Sequence, residues 1–209
     1  MKLTAKPGNR DKIHIYIDGD YQTTVDSLYF GSCGVHDGAE LTPQEAAAFL
    51  QKANERRAFN KGASLISYQD RTRKQLIERL RGDFSEDAVQ AAVDRLEELR
   101  LLDDTRFAEH YAAELLRRKK CAPRRIVQEL LLKGVDRETA EAAVEGLDFS
   151  PDVCIIELLE TKFAGKFGDE KGLRRTVAAL QRLGYGYSDI RSALRQIEEE
   201  GDEYECESE

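Results

Sequence analysis

The chain has 209 residues, 41% of them hydrophobic and 34% charged, and a formal net charge of −8. This is enough apolar side chain for a thin core under a large charged surface, as one extended array or two small domains. It excludes a membrane-spanning helix, since no apolar run of about 18 residues exists. It also argues against secretion: MKLTAKPGNRDK has no apolar signal core, and Cys33, Cys121, Cys154 and Cys206 are scattered, so a reducing cytoplasm is expected.

Residues 12 to 26 predict a β-hairpin, with Ile13, Ile15 and Ile17 alternating with polar neighbours before the turn signal Asp18-Gly19. A two-residue turn sets the isoleucines opposite Asp20, Gln22 and Thr24. A three-residue connection pairs Ile17 with Tyr21, Ile15 with Thr23 and Ile13 with Val25. The second register gathers apolar groups on one face and is the one expected. Gly31-Ser32-Cys33-Gly34 reads as a loop, and it matches no phosphate-binding glycine pattern. Thr42-Pro43 starts a helix to about Ala53. A second helix is expected from Asn54 to Tyr68, weakened at Gly62. Residues 1–53 thus form a small N-terminal β-hairpin and helix module.

Beyond it the chain repeats. Pro123–Leu147 reads as two short helices joined at Lys133-Gly134-Val135, with Pro123 at a helix start, Gly134 just past an end and Asp136 as a cap. Lys74, Ile77 and Leu80 stand fifty positions before Arg124, Val127 and Leu130; Arg174, Val177 and Leu180 stand fifty after. Phe84, Val135 and Tyr185 begin the connection to the second helix, where Val93, Val144 and Leu194 correspond within one residue of slip. A fixed period of this size marks stacked helical repeats. Each unit also has a longer leading helix: Ser85, Asp103, Ser150, Asp169 and Ser188 are the expected caps along 85–194. The fold class is mainly α, an elongated curved array of three tandem three-helix repeats at 54–101, 102–148 and 149–197. Eight acids and no base occupy Glu198–Glu209, an end expected to be disordered; without it the 32 remaining acids equal the 32 bases.

The body is therefore neutral, and contact with nucleic acid requires a local patch. Candidates recur at one point of each repeat: Arg71, Arg73 and Lys74; then Arg117, Arg118, Lys119, Lys120, Arg124 and Arg125; then Lys162, Lys166, Lys171, Arg174 and Arg175. Cations beside a helix N-terminus oppose its dipole. Either they bind an anionic surface, or they pair with acids such as Glu78 and Glu129. Catalysis and metal binding lack a motif. Asp103-Asp104 are neighbours that point apart on a helix, and Cys33 with His36 supplies only two ligands. Phe107, Tyr111, Phe163 and Tyr185 read as core, whereas Tyr187 follows an exposed turn and stays open as a stacking surface. No cofactor is implied.

LLDDTRFAEHY at 101–111, YQDRTRKQLIERL at 68–80, the basic run from Lys119 to Gly134 and GYGYSDIRSAL at 184–194 resemble the RecX family of recombination regulators. IYIDGDYQTTVD and LTPQEA resemble an N-terminal extension of some members. The likeness spans about residues 12 to 197. It implies a non-enzymatic, monomeric modulator, mainly an inhibitor, of the RecA recombinase. Such a protein lies in the groove of the RecA–DNA filament and hinders ATP hydrolysis, strand exchange and the autocleavage that triggers the SOS response. The basic residues would meet the filament, and with it single- or double-stranded DNA. The alternative is a helical-repeat scaffold for another protein or nucleic acid.

Overall fold

A computed structural model describes residues 1–206. Side chains at 198 and 200–209, and the backbone of 207–209, lie outside the described residues, and with them the expectation for the acidic end. The chain divides into two compact units, Met1–Asp103 and Asp104–Glu209.

The first unit opens with strands β1 (Leu3–Pro7), β2 (Lys12–Ile17) and β3 (Asp20–Asp26), an antiparallel sheet in the order β1-β2-β3. The expected hairpin is thus two-thirds of a sheet. Strand β1 is a short edge strand ending in proline, which an edge tolerates. It aligns Leu3 with Ile17 and Ala5 with Ile15. Both hairpin registers are present. Ile13 faces Val25 and Ile15 faces Thr23, as expected. A bulge then lets Tyr16 face Tyr21 and Ile17 face Asp20 across the two-residue turn. Asp18 and Gly19 both have positive φ (51° and 94°), which that turn requires.

Helix α1 (Ser27–Ser32) follows, capped by Asp26, where a loop was expected from Gly31. Helix α2 (Pro43–Tyr68) is one uninterrupted helix rather than two, started by a capping box of Thr42 and Glu45. Its first half packs Phe49 and Ala53 against Leu3, Ile15 and Val25 of the sheet. Its second half packs against helices α3 (Arg73–Leu80) and α4 (Glu86–Glu98). Gly62 is buried where a Cβ would come within 2.8 Å of Leu96 Cδ1. The weak point in propensity is thus a close approach in packing. The core of this half is Leu76, Leu80, Val89, Val93, Leu96 and Leu102.

The second unit holds α5 (Asp104–Lys119), α6 (Pro123–Lys133), α7 (Arg137–Glu145), α8 (Pro151–Glu160), α9 (Glu170–Arg182) and α10 (Tyr187–Cys206). Asp136 and Asp169 accept from the backbone N–H of Thr139 and Gly172, as caps should. Ser85 and Ser150 stand at the cap positions without a side-chain cap bond. Ser188 is not a cap: α10 begins one residue earlier, and its hydroxyl turns to Asp189.

The fifty-residue period is visible in the packing. Leu80, Leu130 and Leu180 are fully buried. The backbone N–H groups of Phe84, Val135 and Tyr185 donate to their three carbonyls. The one-residue slip has a local cause. Gly134 and Gly184 are left-handed, whereas the first repeat turns without such a residue and is shorter there. Among the described residues, no helix is long and apolar enough to cross a membrane.

Candidate functional site

The expected cations divide by what their neighbours ask of them. In the first unit, Arg73 opens α3, and its guanidinium pairs with Asp94 at 2.8 Å and with Glu97, tying α3 to α4. The hydrogen bond from Arg73 holds the Asp94 carboxyl below its ordinary pKa of 3.8. Arg71 is half-buried, its Nε without an acceptor among the described residues. Lys74 is exposed and in no ion pair among them.

In the second unit, the residues meet at the elbow between α5 and α6. Arg117, Arg118 and Lys119 lie in the last turn of α5, where cations complement the helix dipole and need no ligand. They thus stand before α6, as the spacing suggests, but on the C-terminal turn of α5 rather than beside the α6 N-terminus. Arg118 also pairs with Glu114 at 3.0 Å. Lys120 adopts left-handed φ (51°) and reaches Glu157 of α8 at 2.7 Å. Its carbonyl accepts the Tyr185 hydroxyl. Burial first, then Cys154, pushes the Tyr185 pKa far upward, so the proton stays on that bond. The Ala122 N–H donates to the Leu183 carbonyl at 2.9 Å. Gly184, φ 98°, presses its backbone on Arg125, whose guanidinium pairs with Glu129. The elbow is thus the place where the second and third repeats lock together. Arg124, next to it, is exposed and in no ion pair among the described residues.

On α9, Arg174 pairs with Glu170 at 2.5 Å, both well exposed, while Lys171 and Arg175 are exposed without an ion pair among the described residues. An exposed pair of this kind stabilises by about 0–1 kcal/mol and leaves Arg174 available to a stronger anion. The charges therefore divide: some pair with acids, one of the two alternatives left open by the sequence, and others are exposed. Arg73 and Lys120 fasten one element to another, while Arg125 pairs within α6. Among the exposed cations, Lys74, Arg124 and Arg174 stand fifty residues apart, at the same distance before the buried Leu80, Leu130 and Leu180.

Two matched three-helix domains decide the ancestry. A family model described as RecX, first three-helix domain, matches residues 58–96, and one described as RecX, second three-helix domain, matches 103–144. The chain belongs to the RecX family. A regulatory protein RecX of Caldanaerobacter subterraneus is 27% identical over 184 residues, 88% of this chain and 92% of that one. A regulatory protein RecX of Bacillus velezensis is 27% identical over 208 residues, 97% and 78% of the two chains. A crystal structure of regulatory protein RecX superposes with a TM-score of 0.71 at 21% identity, covering 93% and 98%. RecX from Lactobacillus salivarius gives a TM-score of 0.60 at 24% identity, covering 69% and 97%. Both structural likenesses establish the tandem helical fold.

Sequence reasoning missed the fasteners because Arg73 and Asp94, or Lys120 and Glu157, lie far apart in the chain, and no spacing rule links them. It also left out of the candidate set Arg191 and Arg195, which flank a groove between α9 and α10.

Proposed function

We propose that this RecX-family chain regulates the RecA recombinase, mainly as an inhibitor. It acts as a cytoplasmic monomer along the groove of the RecA–DNA filament and so modulates repair, recombination and the SOS response. The observation that carries the reading is the recurrence of one exposed cation, Lys74, Arg124 and Arg174, at the same point of each repeat. A periodic polyanion-bearing filament presents its anionic groups at intervals, and a tandem protein with one cation per unit can match it. The naming of its relatives as regulatory proteins supports the same reading. The repeats 54–101, 102–148 and 149–197 then act as successive contact units, and no reacting group is needed.

The test is ATP hydrolysis by recombinase filaments on single-stranded DNA. Stoichiometric protein is expected to suppress it, and K74E/R124E/R174E to suppress it several-fold less while melting normally. Unchanged hydrolysis with the wild-type chain refutes the reading.

A further inference from the structure

The second helix of each pair can be compared position by position. Residues one, five and nine of α4 are Glu86, Gln90 and Asp94. Those of α7 are Arg137, Glu141 and Glu145, and those of α10 are Tyr187, Arg191 and Arg195. Spaced by four, each trio forms one exposed stripe. In the first two repeats the stripe is acidic or internally paired: Asp94 holds Arg73, and Arg137 holds Glu141 at 3.0 Å. In the third it is an aromatic ring followed by two arginines, neither in an ion pair among the described residues.

This stripe borders a groove. Leu173 and Val177 of α9, with Leu194 of α10, supply an apolar floor, and no carboxylate lines it among the described residues. The Tyr187 side is open, at 62% exposure. Between Lys171 and Arg195 there are six cations and a single acid, Asp189. In a chain of net charge −8, that local excess is the opposite of the whole.

We infer that the α9–α10 groove of the third repeat binds single-stranded DNA, with one base stacked on Tyr187 and Arg191 and Arg195 on successive phosphates. An exposed ring beside an apolar floor fits the face of an unpaired base, which a duplex hides, and guanidiniums track the backbone. At about 1.5 Å of rise per residue, Tyr187 to Arg195 covers about 12 Å, or about three to four stacked nucleotides at ~3.4 Å each. An acidic peptide fits the arginines but gives the exposed ring no flat partner of its own. The site deepens the regulator reading by giving the chain its own hold on the strand, and it is tested without any recombinase, so the two can fail separately.

The experiment is fluorescence anisotropy of a labelled oligo-dT titrated with the full chain across a salt series. Tyr187→Ala is expected to weaken binding about tenfold, the effect of losing one stacked base, and Tyr187→Phe to restore it. R191Q/R195Q is expected to make the slope of log affinity against log salt shallower by about 1.4, or ~0.7 per lost phosphate contact. In the unmodified chain, an oligonucleotide carrying 5-iodouracil is expected to photocrosslink at Tyr187, read by mass spectrometry. The inference is overturned if Tyr187→Ala and Tyr187→Phe bind alike, or if the crosslink maps elsewhere. It is equally overturned if duplex DNA or an oligo-U of equal length binds more tightly, or if poly-glutamate displaces oligo-dT at equal charge.

Discussion

Replacing Gly184 with alanine attacks the lock between the second and third repeats from two sides. Its φ of 98° is left-handed, which costs an L-residue about 1–2 kcal/mol. A Cβ would also stand 2.8 Å from Arg125 Cβ and 3.1 Å from the Arg125 N, next to the backbone bond from Ala122 to Leu183. Overpacking against atoms this close to the main chain costs about 1–3 kcal/mol more. Together the loss is about 2–5 kcal/mol. Gly165 is the control: its φ is 67°, yet nothing lies within 4 Å of its added Cβ, so Gly165→Ala loses only the conformational part. Urea unfolding followed by circular dichroism reads both, and the slope with denaturant should be unchanged. If Gly184→Ala is no worse than Gly165→Ala, the close approach at the elbow does not exist as described.

Two further outcomes follow from single groups. Tyr185→Phe removes the donor to the Lys120 carbonyl and is expected to cost about 1 kcal/mol, rising to ~3 if that carbonyl finds no water; an unchanged urea midpoint would contradict the bond. Burial raises the Asp26 pKa, but bonds from the Tyr29 N–H, Arg56 and Asn60 outweigh it and hold it below 3.8. A carboxylate depressed in the folded state favours folding above its unfolded pKa and loses that advantage as pH falls through the folded value. Asp26→Asn, which keeps the cap to α1, should therefore flatten the fall in stability below about pH 4, and an unaltered acid limb counts against it.

What could be read in the residues, and what could not, divides by range. Caps such as Asp136 and Asp169, the Gly134 stop and the fifty-residue period rest on neighbours within a few positions, so spacing reveals them. Strand β1 escaped because Leu3 and Ala5 alternate for too few residues before Pro7, and only the partner strand makes them a ladder. The break expected near Ala53 was absent because tertiary packing on both halves of α2 overrides a mediocre local signal. The division of cations into fasteners and exposed groups depended on acids 21 or more positions away, such as Asp94 for Arg73 and Glu157 for Lys120. Tyr187 reads as open for stacking, but Arg191 and Arg195 beside it were missed for another reason. Aligning repeats by their apolar positions is blind to a change confined to the exposed face.

Helix α2 carries a consequence for how this chain tolerates insertions. The sheet grips Phe49 and Ala53, the first repeat grips Ala58 and Gly62, and the four residues between belong to the same rod. Along such a rod, position is counted in residues. Adding one between Ala53 and Ala58 would swing the sheet about 100° around the repeat and shift it ~1.5 Å. Seven, close to two full turns, would nearly restore its bearing while moving it about 10 Å outward. The N-terminal module is thus geared to the repeat, and viable lengths of this segment should come in whole turns.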